Sequence, residues 1–159
     1  MTDYRKALDT LRGGQVRFIV IGGVAGTAHG STHMTNDLDV VYARSNEDIA
    51  RLAAALAPHQ PYLRGVPAGL PFKFDAATIQ HGLNFTLDTD FGPLDLLGEV
   101  TGGGSYDALL PHTVTLDLFG GSCLCVDLPT LIRLKRAAGR PKDLLALGEL
   151  EALLASSTK

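Results

Sequence analysis

Asp37 and Asp39 flank Leu38, and a third aspartate, Asp95, stands in the later run Gly92-Pro93-Leu94-Asp95-Leu96-Leu97. Side chains at i and i+2 of a β-strand leave the same face. Asp37 and Asp39 therefore share one face, with Leu38 and Val40 turned to the core. Two carboxylates on a rigid face suit a hard dication such as Mg²⁺, which prefers oxygen ligands and often also takes substrate phosphates. Taken singly, Asp37-Leu38-Asp39 reads as a solvated strand end; together with Asp95 the set points to a metal site. Asp88 and Asp90 repeat the spacing beside Gly92-Pro93, where aspartate is a common turn former, and are read as structural.

The elements that must hold these carboxylates are legible as hydrophobic pattern. Val16 to Ile21 reads as a buried strand running into Gly22-Gly23, which alone would be a tight strand-to-helix turn. Val24 to His29 is a short helix ended by Gly30, and Asp37 to Tyr42 a second strand. Upstream, Tyr4, Ala7, Leu8 and Leu11 recur at helical spacing until Gly13-Gly14. Ser45 and Asp48 resemble a capping box ahead of Ile49, Leu52, Ala53 and Leu56. Residues 58–71 hold Pro58, Pro61, Pro67, Gly65 and Gly69 and read as one long loop, of the kind that is often functional. Leu83, Phe85 and Leu87 alternate with polar residues in a half-buried strand, and Leu94 to Leu97 is the returning strand. Gly98 and Gly102-Gly103-Gly104 read as a flexible loop. Val114–Phe119 and Cys123–Leu128 form a hairpin around Gly120-Gly121. Pro129 suits a first helical turn, the helix breaks at Gly139-Arg140-Pro141, and a last helix carries Leu144, Leu145, Leu147, Leu150 and Leu153.

Bulk properties bound the answer. A chain of 159 residues fits one domain with one core, and no internal boundary or repeat is evident, so residues 1–159 are read as a single domain. A net charge of −3 argues against a surface built for nonspecific nucleic-acid binding, though it leaves room for a local basic pocket. No apolar run approaches the ~20 residues of a membrane span, and Met1 to Lys6 lacks a signal-peptide core, so a cytoplasmic protein is expected. Cys123 and Cys125 alternate in an apolar run and read as small buried hydrophobes. His29 and His33 lie four apart, but Gly30 and Ser31 interrupt any helix and no third zinc ligand is evident. Gly23 and Gly26 match the last two glycines of a dinucleotide fingerprint, yet Ile21 fills the place of the first and regular βαβ alternation is missing after residue 58. No Lys-Ser or Lys-Thr pair of a P-loop is present.

The ordered set Gly22-Gly23, Ala28-His29-Gly30, Thr35-Asn36-Asp37-Leu38-Asp39 and Gly92-to-Gly98 around Asp95 resembles the core signature of the nucleotidyltransferase superfamily with a DNA polymerase β-like palm. Leu131-Ile132-Arg133-Leu134-Lys135 with Gly139-Arg140-Pro141-Lys142-Asp143-Leu144 is similar to the tail of minimal bacterial members, including the AbiEii-type toxin-like transferases. The likeness spans roughly residues 16–150. It implies an α/β (α+β) fold with a small mixed sheet and helices packed mainly on one side. It also implies a Mg²⁺- or Mn²⁺-dependent transfer of an NMP from an NTP. Asp37, Asp39 and Asp95 would be both metal ligands and catalytic residues, with Gly22, Gly23, Thr35 and Lys135 on the nucleotide side. Two metals ~3.5–4 Å apart clamp the attacking and leaving oxygens in such reactions. Lys135, Arg136, Arg140 and Lys142 form a basic cluster within reach of a triphosphate or acceptor, or else a solvated helix face. Relatives often carry Arg two places before the Thr; here that place holds His33, a shorter side chain. The acceptor is left open between an RNA end such as tRNA, a protein and a small molecule. The rival readings are a noncatalytic nucleotide- or partner-binding module of the same fold, and one half of a toxin–antitoxin pair.

Overall fold

The computed structural model describes residues 1–157. Its chain order is α1 (Tyr4–Gly13), β1 (Phe18–Ile21), α2 (Gly22–Ala28), β2 (Leu38–Tyr42) and α3 (Asn46–Leu56). There follow a 3-10 turn over Ala57–His59, β3 (Tyr62–Leu63), α4 (Ala76–His81), β4 (Asn84–Thr89), β5 (Gly92–Leu97), β6 (Glu99–Val100) and β7 (Gly104–Ser105). After α5 (Tyr106–Leu109) and a second 3-10 turn come β8 (Thr113–Leu118), β9 (Gly121–Val126), α6 (Leu128–Ala138) and α7 (Pro141–Ser157). Seven strands form one mixed sheet in the order β3-β4-β5-β2-β1-β9-β8. β2 runs parallel to β5 and β1 parallel to β9, while β1–β2, β4–β5 and β8–β9 are antiparallel. This is the mixed α/β architecture that the resemblance implied.

The central strands are the apolar ones because they are covered on both faces: all four residues of β1 are buried. The register puts Phe18, Val20, Val40, Tyr42, Leu94, Leu96, Phe85 and Leu87 on one face. Ala7, Leu8 and Leu11 of α1 and Ile49, Leu52 and Leu56 of α3 join them in one core. The opposite face carries Ile19, Ile21, Asp39 and Asp95, and α6 lies over part of it. Helices α1, α3, α4 and α6 start on side-chain caps: Asp3 accepts from the Lys6 amide, Ser45 from Asp48, Asp75 from Thr78 and Asp127 from Thr130.

Two stretches are more ordered than their composition suggests. Residues 58–71 contain β3, whose Tyr62 and Leu63 pair with Asp88 and Leu87. A two-residue strand is too short to leave a periodic signal. The triple-glycine stretch turns the chain from β6 into β7, which pair as a ribbon, and a Cβ added at Gly103 would stand 2.6 Å from Leu134 Cδ2. Glycine there permits close packing rather than a free loop. α4 leaves no apolar stripe in the sequence, because its six residues bury only Ile79.

Candidate active site

The topology builds the site. Because β2 and β5 are adjacent and parallel, Asp39 lies directly beside Asp95. Asp37 immediately precedes β2, and one carboxylate oxygen from each of the three aspartates lies within 4.8 Å of the others. On the other side of β2, Ile21 is the register partner of Asp39. The next residue, Gly22, has φ +68°, and a Cβ there would run into the Asp39 carboxylate. Gly22 is thus required twice, by backbone conformation and by the approach of the acid. A Cβ at Gly23 would stand 2.6 Å from Thr35 Cβ. Thr35 in turn donates its hydroxyl to the Asp37 carbonyl at 3.2 Å, with Asp37 Oδ1 at 3.4 Å. The Tyr4 hydroxyl donates to the Thr35 carbonyl at 2.7 Å. Thr35 therefore fixes the approach of Asp37 to the strand.

The electrostatics are those of crowded acids. Burial, then the hydrogen bond and charge of Asp95 and the charge of Asp37, push Asp39 up to about 8; Lys135 opposes this only in part. Among the described residues, the buried Oδ1 of Asp95 has no hydrogen-bond partner. Arg64 Nη2 stands 2.9 Å from it, as an ion pair outside hydrogen-bond direction. Three clustered oxygen donors, one of them orphaned, fit a hard dication such as Mg²⁺ or Mn²⁺. Soft donors are elsewhere: Cys123 and Cys125 are buried and unpaired, and burial drives Cys125 up to about 12.

Arg64 was not singled out from sequence. It follows β3, and its amide donates to the carbonyl of Thr86, the β4 residue beside Asp95. Only the pairing of that two-residue strand brings it to the acids. Asp88 and Asp90 stay out of the triad: Asp88 pairs with Arg64 at 3.2 Å and Asp90 with His59 at 2.9 Å.

A basic wall faces the acids. Asp143, fully buried in the first turn of α7, holds Lys135 Nζ at 3.3 Å and Arg140 Nε and Nη2 at 2.6 and 3.2 Å. Burial alone would raise the Asp143 carboxyl, but the Arg140 hydrogen bond and the Lys135 charge outweigh it and hold it below the usual carboxylate range. Arg136, in contrast, turns out to Glu151. Lys135, Arg140 and Lys142 border two clefts that meet at Gly22, Asp37 and Asp39. One, of about 350 Å³, contains Asp95 and Arg64 and has an apolar wall of Leu97, Val100, Leu131 and Leu134. The other, of about 330 Å³, passes over Gly22-Gly23 and Thr35 to Met34, His33 and Leu145. His29 is committed elsewhere, its Nε2 lying 2.7 Å from the Val126 carbonyl.

The mixed sheet, with Asp39 and Asp95 on neighbouring parallel strands, matches a nucleotidyltransferase-like fold. Among solved structures, the lincosamide antibiotic adenylyltransferase LnuA in its lincomycin-bound form is similar to this chain with a TM-score of 0.62. The match covers 96% of this chain and 98% of that chain at 11% sequence identity. At that identity the likeness carries the fold and no subtype. No protein-family model matches the chain, and no curated protein matches it. Among the described residues, no helix is long and apolar enough to cross a membrane.

Proposed function

We propose that this protein is a metal-dependent nucleotidyltransferase that moves an NMP from an NTP to a hydroxyl-bearing acceptor. The observation that carries the reading is the side-by-side placement of Asp39 and Asp95, with Asp37, beside a glycine turn that contributes no side chain of its own at Asp39. Asp37, Asp39 and Asp95 would hold Mg²⁺ or Mn²⁺, which neutralises the triphosphate and the developing oxyanions. Gly22 and Gly23 leave room for phosphates, Thr35 positions Asp37, and Lys135 with Arg140 places positive charge along the same cleft. Asp95 accepts the acceptor's hydroxyl proton as its oxygen attacks the α-phosphorus. The bond to the β-phosphate oxygen breaks and pyrophosphate leaves.

The cleft beside Asp95, with its apolar wall, is in the size range of small-molecule sites. LnuA is an antibiotic adenylyltransferase seen with lincomycin bound, and a small-molecule acceptor is the reading we favour over an RNA end or a protein. The test is calorimetry with ATP, CTP, GTP and UTP, with and without Mg²⁺. The carboxylate charge of this face repels a triphosphate unless cations intervene, so binding should be weak in EDTA and at least about tenfold tighter with metal. Equal binding in EDTA would sink the reading.

A further inference from the structure

We propose that Arg64 is a displaceable internal counter-ion: it occupies the carboxylate face in the free protein and yields it when a dication binds. The inference rests on the metal-site reading above and adds to it a residue that sets metal affinity. Arg64 reaches the face from β3 at the sheet edge. Its Nη2 lies 2.9 Å from Asp95 Oδ1 and its Nη1 3.8 Å from Asp37 Oδ2. The same guanidinium has a second set of partners just outside the triad: Nε stands 3.2 Å from Asp88 Oδ1, and Nη2 donates to the Leu87 carbonyl at 2.7 Å.

A single position of the guanidinium makes all four contacts at once, two toward the triad and two away from it. The inner pair is imperfect, because the Asp95 contact is an ion pair without hydrogen-bond direction and leaves Oδ1 unsatisfied among the described residues. The outer pair, a carboxylate and a carbonyl, can stay in place while the inner contacts are given up. A guanidinium is always charged, so a dication drawn to Asp37 and Asp95 meets a cation already there. The two repel at this range, and the monovalent group, tethered by Asp88 and Leu87, gives way. The Arg64 side chain is half-buried and part of the wall of the cleft that contains Asp95, so withdrawal also widens that cleft.

The test reads metal binding, not turnover. Mn²⁺ affinity is measured on the intact protein, on Arg64→Gln and on Arg64→Lys, with Asp95→Asn as the control for the site. Removing the charge should tighten Mn²⁺ binding by about tenfold or more, the usual effect of one close charge on an ionic equilibrium. Arg64→Lys, which keeps the charge, should stay close to the unaltered protein. A merely structural arginine predicts loss of affinity in both variants. In a second measurement on the unaltered protein, saturating Mg²⁺ should shift the Arg64 Nε–H resonance and speed its exchange with water. If the protein binds Mn²⁺ but Arg64→Gln binds it no more tightly, or the resonance stays put, the counter-ion role is overturned and the metal site stands. If neither the protein nor Arg64→Gln binds Mn²⁺ at millimolar concentration, both fall together.

Discussion

At the scale of single residues, the site is a set of acids that oppose one another. Asp39 feels this most, pushed from 3.8 to about 8 by burial and then by Asp95 and Asp37. Between about pH 4 and 8 the folded protein keeps a proton that the unfolded chain has released. The metal-free protein must then lose stability as pH rises through that window. Asp39→Asn cannot ionise and removes this part of the slope. Denaturant unfolding without metal should show the variant more stable than the parent at pH 8 by roughly 1–3 kcal/mol, because solvent screens part of the interaction. The two should converge near pH 4. A variant less stable at pH 8 would mean that Asp39 is a supporting residue and not a strained one. Metal binding must expel the same proton, so Mn²⁺ affinity should climb with pH toward 8 and then level off.

At the scale of elements, the acids and the bases come from opposite sides of the site. β2 and β5 carry the acids; the junction of α6 and α7 carries the bases. Gly139 closes α6 in the left-handed conformation at φ +65°. Two residues later Pro141 starts α7, which brings Asp143 under Lys135 and Arg140. Asp143→Asn would leave the half-buried Lys135 without its counter-charge. We expect a loss of about 2–4 kcal/mol in unfolding free energy, and NTP binding weaker by about tenfold as both cations lose their fixed position. Unchanged NTP affinity in a folded Asp143→Asn protein would show that the basic wall does not serve the nucleotide. Long periodic elements such as α1, α3, β4 and α6 were legible in the sequence because each buries a regular stripe. β3 and α4 were not, since two and six residues carry too little pattern. The cost of missing β3 was Arg64, a lone arginine in a Pro- and Gly-rich stretch that only strand pairing delivers to Asp95.

At the scale of the whole molecule, the sheet order does what no local motif can. It sets Asp95, 56 positions beyond Asp39 by their residue numbers, directly beside it. The sequence showed that these carboxylates existed and faced outward from alternating strands; their adjacency depends on β5 inserting parallel to β2, which alternation alone does not specify. The basic cluster was legible as composition, but only the α6–α7 geometry separates Lys135, Arg140 and Lys142, which border the clefts, from Arg136, which does not. The similarity to LnuA extends over nearly the full length of both chains. It therefore describes an architecture, not a shared local motif. The central claim, nucleotidyl transfer at the Asp37–Asp39–Asp95 face, is tested most directly by supplying NTPs labelled at the α- or the γ-phosphate, with Mg²⁺ and fractionated RNA, protein and small-molecule acceptors. The account predicts that α-label alone becomes attached to an acceptor, with one pyrophosphate released per transfer and no transfer by Asp95→Asn. Transfer of the γ-label, or α-label transfer that survives Asp95→Asn, would contradict it.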